Sequence, residues 1–239
     1  MQMSSPHSGH RARMKARYRV TGMNGFSEHE KLELILFYTH QRGDVNPLAH
    51  RLMEKYRTLS AIFDAPFEEL KNIEGVGEHT ATFLKLIPDL CREYMIELES
   101  GSQTKLITTT DICNYMKYRF IGIKEEVLYA VYMDNTCKVL RCEQISQGNV
   151  SSLTINVRKL TEIALSCNAT TVAIAHNHPG GALHPSAEDL QATIHLVETF
   201  RNLGIQLSDH VIISGSNYLS LRQSEQYCYV FDNEKRFSF

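Results

Sequence analysis

The chain has 239 residues, 43% apolar and 22% charged, with a formal net charge of −2. That size and composition suit one or two folded domains with real cores and exclude a disordered chain; the near-zero charge excludes a globally basic nucleic-acid binder, so any such contact must be local. The cysteines at 91, 113, 137, 142, 167 and 228 form no Cys-x-x-Cys pair, which argues against a disulfide framework or thiolate zinc site and for a reducing, cytoplasmic setting.

The first twenty residues, "MQMSSPHSGHRARMKARYRV", are polar and then basic, without the apolar centre of a secretory signal. The longest apolar run, around "LELILFY", is far too short to span a membrane, so no membrane association is expected. Five positive charges between Arg11 and Arg19 are opposed by no acid; they read as a solvated arm or short helix, with nucleic-acid contact as the alternative. Residues 27–99 read as helices. Ser27 with Glu30 forms a capping box before "KLELILFY". Asn46-Pro47 reads as an N-cap followed by a first-turn proline, opening a helix with Leu48, Leu52 and Tyr56 on one face. A short helix, "PFEELKNI", precedes a tight turn and a helix through "TATFLKLIPDLCREYMIELE", which Pro88 is placed to kink. The polar stretch 99–105, "ESGSQTK", reads as a linker between a helical domain, 1–100, and a second domain, 105–225, with 226–239 as a tail.

In the second domain the pattern changes to a mixed α/β one. "VLYAVYMD" and "CKVLRCEQIS" are β-rich and flank a hairpin signal at Asp134-Asn135. "NVRKLTEIALSC" reads as a helix with Val157, Leu160, Ala164 and Cys167 on one stripe. "TTVAIAH" reads as a buried strand, "SAEDLQATIHLVETFRNLG" as a helix closed by Gly204, and "IQLSDHVIIS" as another strand. The fold class is thus α+β: a small all-helical domain, then a domain with a central sheet.

One stretch concentrates metal-binding chemistry: "AHNHPGGALHPSAEDL", residues 175–190. Residues two apart on a strand share a face, so His176 and His178 can address one point at the strand end. Pro179 and two glycines let the chain turn, and Asp189 lies in the first turn of the following helix. Two imidazoles and one carboxylate leave a coordination position open, the layout of a catalytic zinc site. The competing reading is that Ser186 and Asp189 are simply a capping box; His184 is a further candidate ligand. On spacing alone both readings stand. No second cluster is present, so one zinc per chain is expected.

The string His176-x-His178-Pro179, six residues, then Ser186-x-x-Asp189 resembles the metal signature of the JAMM (JAB1/MPN) metalloproteases. Together with "GIQLSDHVIISGSNYLS" downstream, the wording resembles the bacterial RadC family, over about residues 10–225. The resemblance implies a JAB1/MPN (cytidine-deaminase-like) domain, zinc on His176, His178 and Asp189, Ser186 supporting an oxyanion, and hydrolysis of a peptide or isopeptide bond. It also implies a glutamate base on an earlier strand: Glu126 matches the family position, and Glu143 is the alternative. Asp209-His210, a polar pair in an apolar strand, can orient a ligand or serve structure alone.

In the first half, "IEGVGEHTATFL", 73–84, resembles the helix-hairpin-helix of DNA-repair proteins. Gly75 and Gly77 permit backbone approach to a phosphate, and His79 and Lys85 are the nearby basic residues, while Glu74 and Glu78 oppose such contact. Weak, sequence-insensitive DNA contact is one expectation; a packing turn is the other. Beside a zinc hydrolase, two further readings stay open: a DNA-binding repair accessory or nuclease, and a non-catalytic interaction module.

Overall fold

The computed structural model describes residues 9–99, 104–148 and 155–232 and comprises two compact units, Met1–Leu90 and Cys91–Phe239. The division falls inside a helix, ahead of the polar stretch 99–105, of which 100–103 lie outside the described residues. No helix among the described residues is long and apolar enough to cross a membrane.

The helical unit opens with α1 (His10–Thr21). Of the two readings, solvated arm or short helix, the basic segment takes the helix, and two of its cations engage α2 (Glu28–Leu36) and the residues beyond it. The Arg11 guanidinium donates to the carbonyls of His40, Gln41 and Gly43, beyond the C-terminus of α2, while Arg17 pairs with Glu30 at 2.7 Å and lies over the Phe26 ring. Ser27 and Glu30 form the reciprocal capping box at the start of α2. In α3 (Asn46–Tyr56), Asn46 is already helical and not the cap. Asp44 takes the cap's part, its Oδ1 accepting from the Asn46 N–H at 2.9 Å, while the Asn46 amide donates to the buried Glu33. Two short helices follow, α4 (Leu59–Asp64) and α5 (Phe67–Lys71), then the long α6 (Gly77–Glu99), which continues through the buried Pro88 as one element. Leu32, Leu36, Leu52, Ile62, Leu70 and Leu84 form the centre of this unit's core, all fully buried. Each is worth about 1.5–3 kcal/mol of burial.

The second unit adds α7 (Thr109–Lys117), β1 (Glu126–Met133), β2 (Val139–Gly148), α8 (Val157–Ser166), β3 (Thr171–Asn177), α9 (Ala187–Asn202), β4 (Gln206–Ser214) and β5 (Asn217–Ser220). The strands form one sheet in the order β2-β1-β3-β4-β5, antiparallel except for the β3–β4 pair, whose crossover is α9. Helices α8 and α9 pack on one face with Leu128, Ala130, Tyr132 and Ile174; α7 packs on the other with Val127, Val131 and Val211. Burial on both faces explains why β1 reads as a continuous apolar run and not an alternating one. Gly204 closes α9 with φ +70°, as expected of a C′ glycine.

Three features differ from expectation. The β1–β2 connection spans Asp134–Lys138, with Cys137 at φ +62°, because the Asp134 carboxylate accepts from the N–H groups of both Thr136 and Lys138 and organises a longer turn. Helix α7 and strand β5 were not anticipated. Residues 226–232 are not a tail: a 3₁₀ turn at Cys228–Phe231 buries Val230 and Phe231 in the core that includes α9. Residues 233–239 lie outside the described residues.

Candidate metal centre

The register of the sheet builds the site. Leu128 on β1 lies opposite His176 on β3. Two steps further, Glu126 comes level with His178, and the period of two puts all four side chains on the α8/α9 face. Asn177, pointing the other way, clamps this arrangement: its Oδ1 accepts from the Val127 N–H at 2.8 Å and its amide donates to the Glu125 carbonyl at 2.9 Å. Asp189 enters from the N-terminus of α9, on the same face.

The donor atoms of Glu126, His176 and His178 all lie within 4.8 Å of one another. The two Nε2 atoms are 2.9 Å apart; Glu126 Oε1 lies 4.0 Å from His176 Nε2 and 3.9 Å from His178 Nε2. Asp189 Oδ1 is 3.6 Å from His176 Nε2, and Oδ2 is 3.8 Å from His178 Nε2. Ligands held at about 2.0–2.1 Å by a tetrahedral zinc are about 3.4 Å apart, inside this range. His178 Nδ1 donates to the Ala182 carbonyl at 2.9 Å, which leaves Nε2 as a bare lone pair aimed at the second imidazole. This donor set fits a divalent cation.

Burial shapes the ionisation of the site. It drives His176 down to about 4 and His210 to about 3, so both rings are neutral and able to donate lone pairs. It raises the Glu126 carboxyl. Burial also pushes Asp189 upward, but the hydrogen bonds from the Ser186 hydroxyl and N–H favour its ionised form, and its carboxyl is held low. Two carboxylates in one site are thus pushed in opposite directions.

Ser186 and Asp189 do form the capping box that spacing suggested. Asp189 Oδ2 accepts from the Ser186 N–H at 2.8 Å and from its hydroxyl at 2.7 Å, and the Ser186 oxygen accepts from the Asp189 N–H at 3.0 Å. The cap and the site share atoms: these bonds orient the carboxylate. His184 is exposed; the tightest set of possible metal donors among the described residues is Glu126, His176 and His178, and Asp189, outside that set, approaches both imidazoles from the helix side. Glu143 lies on the edge strand opposite Ala130 and pairs with Arg141, away from the imidazoles.

Sequence reasoning left His210 off the site and did not name Thr193. His176 Nδ1 meets His210 Nε2 at 2.8 Å, His210 Nδ1 meets Thr193 Oγ1 at 2.6 Å, and Thr193 Oγ1 donates to the Asp189 carbonyl at 2.6 Å. The signal was a charged pair inside an apolar strand, and a threonine four residues after Asp189, hence on its helix face.

The hairpin residues stand apart from this centre, in the helical unit. Gly75 (φ +90°) and Gly77 (φ +59°) make the turn between α5 and α6, and a Cβ on Gly75 would meet Leu48 at 3.4 Å. The Gly75 carbonyl accepts from His40, Arg51 engages Glu74, and Lys85 donates to the carbonyls of Phe63 (2.7 Å) and Ala65 (3.2 Å). His79 is exposed. Of the two readings left open for the turn, Lys85 and the Gly75 carbonyl make the contacts of a packing turn within the unit. Lys85→Met is accordingly expected to cost about 1–2 kcal/mol of stability, read from a urea titration, and to leave retention on DNA unchanged.

A mixed sheet whose strand end and crossover helix gather two imidazoles and two carboxylates defines a metallohydrolase-like domain of the JAB type. A family model described as the RadC-like JAB domain matches residues 106–227. A UPF0758 protein of Fusobacterium nucleatum is 33% identical over 221 residues, covering 90% of this chain and 95% of that protein. A UPF0758 protein of Ruegeria pomeroyi is 30% identical over 214 residues (89% and 95%), and one of Paraburkholderia xenovorans 28% over 203 residues (85% and 80%). The chain belongs to the RadC-like JAB domain family.

Proposed function

We propose that this protein is a zinc-dependent hydrolase of amide bonds, acting on a peptide or isopeptide. The observation that carries the reading is the pair of Nε2 atoms 2.9 Å apart, backed by two buried carboxylates on one face. His176, His178 and Asp189 would hold the ion. When bound, zinc supplies a Lewis acid that lowers the pKa of a coordinated water to about 7. Glu126 accepts the proton of the attacking water and returns it to the leaving amine; its carboxylate lies about 4 Å from both imidazoles, on the same face of the sheet. Ser186, exposed at the helix start, turns its hydroxyl from Asp189 Oδ2 to the developing oxyanion. The association with DNA repair rests on the family resemblance alone.

Metal analysis tests this reading. The purified protein is expected to contain one zinc per chain, and His176→Ala or Asp189→Ala to lose it with an unchanged far-UV circular dichroism spectrum. Full zinc in both variants places the metal elsewhere and ends the assignment.

A further inference from the structure

We infer that His210 and Thr193 are positioning residues that fix the tautomer of His176, and through it the affinity of the site for a divalent cation. The inference rests on the cation site proposed above. The far end of the hydrogen-bond chain sets the protons of the rest. The single hydroxyl proton of Thr193 is assigned to the Asp189 carbonyl, which can only accept, at 2.6 Å. The Thr193 oxygen is then an acceptor for His210, and the 2.6 Å contact requires a proton on His210 Nδ1. A neutral His210 carrying that proton has a bare Nε2, so the 2.8 Å contact with His176 requires His176 to donate from Nδ1. His176 Nε2 is left as a lone pair facing the bare Nε2 of His178. Two acceptors 2.9 Å apart repel each other unless a cation lies between them.

The chain also closes on itself. It starts at one proposed ligand, His176 on β3, and ends on the backbone of another, Asp189 on α9, whose carboxylate returns to within 3.6 Å of His176. His176, Thr193 and His210 are at most 1% exposed, so water does not compete for these protons. Without the Thr193 hydroxyl, His210 is free to carry its proton on Nε2 and donate to His176 Nδ1. The His176 proton then moves to Nε2 and blocks the lone pair. Partners of this kind commonly change metal affinity 10–100-fold.

The test uses the full chain. In metal-free wild-type protein, ¹⁵N spectra of the imidazoles are expected to show His176 protonated on Nδ1 and bare on Nε2. Thr193→Val, which keeps the side-chain shape, is expected to give His176 a mixture of tautomers and to weaken zinc binding about 10–100-fold in a chelator competition. Thr193→Ser is expected to restore both. A wild-type His176 protonated on Nε2 overturns the inference without any variant. So does a folded Thr193→Val with wild-type zinc affinity and an Nδ1-protonated His176. If wild-type protein binds no zinc yet shows the Nδ1-protonated form, the hydrolase reading fails while the tautomer assignment stands.

Discussion

Glu126→Gln is expected to lower hydrolysis of a peptide or isopeptide substrate by about 10²–10⁴-fold, the usual contribution of a general base. Glutamine keeps the size and the acceptor oxygen but cannot take a proton. Zinc content is expected to stay near that of the wild type, because the proposed ligands are His176, His178 and Asp189 and Glu126 is proposed to act on the water; loss of zinc in Glu126→Gln would make Glu126 a ligand instead. The carboxylate is held in place by its strand, since Asn177 bonds to the backbone on either side of it, at Glu125 and Val127. Burial raises its pKa, which favours proton exchange nearer neutrality over permanent ionisation. The matched change Glu143→Gln is expected to leave turnover unaltered, because that carboxylate pairs with Arg141 on the edge strand. An inactive Glu143→Gln would move the base to β2. Unchanged turnover in both variants removes the mechanism and favours a binding role.

What the sequence could say about this site depended on chain separation. His176 and His178 are joined by one strand period, and Ser186 and Asp189 by one helical turn, so local rules place each pair. Glu126 reaches His178 only through β1–β3 pairing across about fifty residues. Spacing carries no register of that kind, and only the family resemblance pointed to it. The same holds for His210, which comes to His176 through the parallel β3–β4 pair. Its position inside "LSDHVII" advertised a buried polar contact without naming the partner. Thr193 was silent, because a threonine on a helix is ordinary until its neighbours are known.

The fold was legible on similar terms. Helices with strong caps were visible, including α2 with Ser27 and Glu30 and α9 ending at Gly204. The basic run of α1 left arm and short helix open, because its charges bond to carbonyls and an acid distant in sequence, which composition cannot show. Lys85 beside a glycine turn left phosphate contact and packing both open in the sequence, because the carbonyls at the end of α4 that its amine meets are distant in the chain. The segment 226–232 carries Tyr227, Tyr229, Val230 and Phe231, an apolar density unusual for a free tail, and this was the cue that it packs into the core.

Asp209→Ala is expected to lower the unfolding free energy by about 3 kcal/mol or more, while Asp209→Asn costs about 1 kcal/mol or less, both read from urea titrations. The difference follows from which oxygen does what. Asp209 is fully buried; its Oδ1 accepts from the His210 N–H at 2.8 Å and the Arg222 N–H at 3.2 Å, and its Oδ2 accepts from the Ser220 hydroxyl at 2.6 Å. Alanine orphans all three donors and leaves a void. Asparagine keeps Oδ1 for both backbone groups, and its amide can donate to Ser220 Oγ, which already accepts from the Gln223 N–H at 3.0 Å. Charge is not what the fold uses here. Burial raises the Asp209 carboxyl, against the hydrogen bonds from Ser220, Arg222 and His210. A carboxyl raised on folding contributes most below its unfolded pKa, and that contribution is lost as the pH rises through the folded value. The neutral asparagine has no such loss, so the stability gap between wild type and Asp209→Asn is expected to move in favour of asparagine as the pH climbs through that window. A wild type that instead gains on the asparagine variant with rising pH would show that the ionised carboxylate is the stabilising form. The alanine variant should also weaken zinc binding, because the backbone N–H that Asp209 holds belongs to His210, the residue whose ring meets His176.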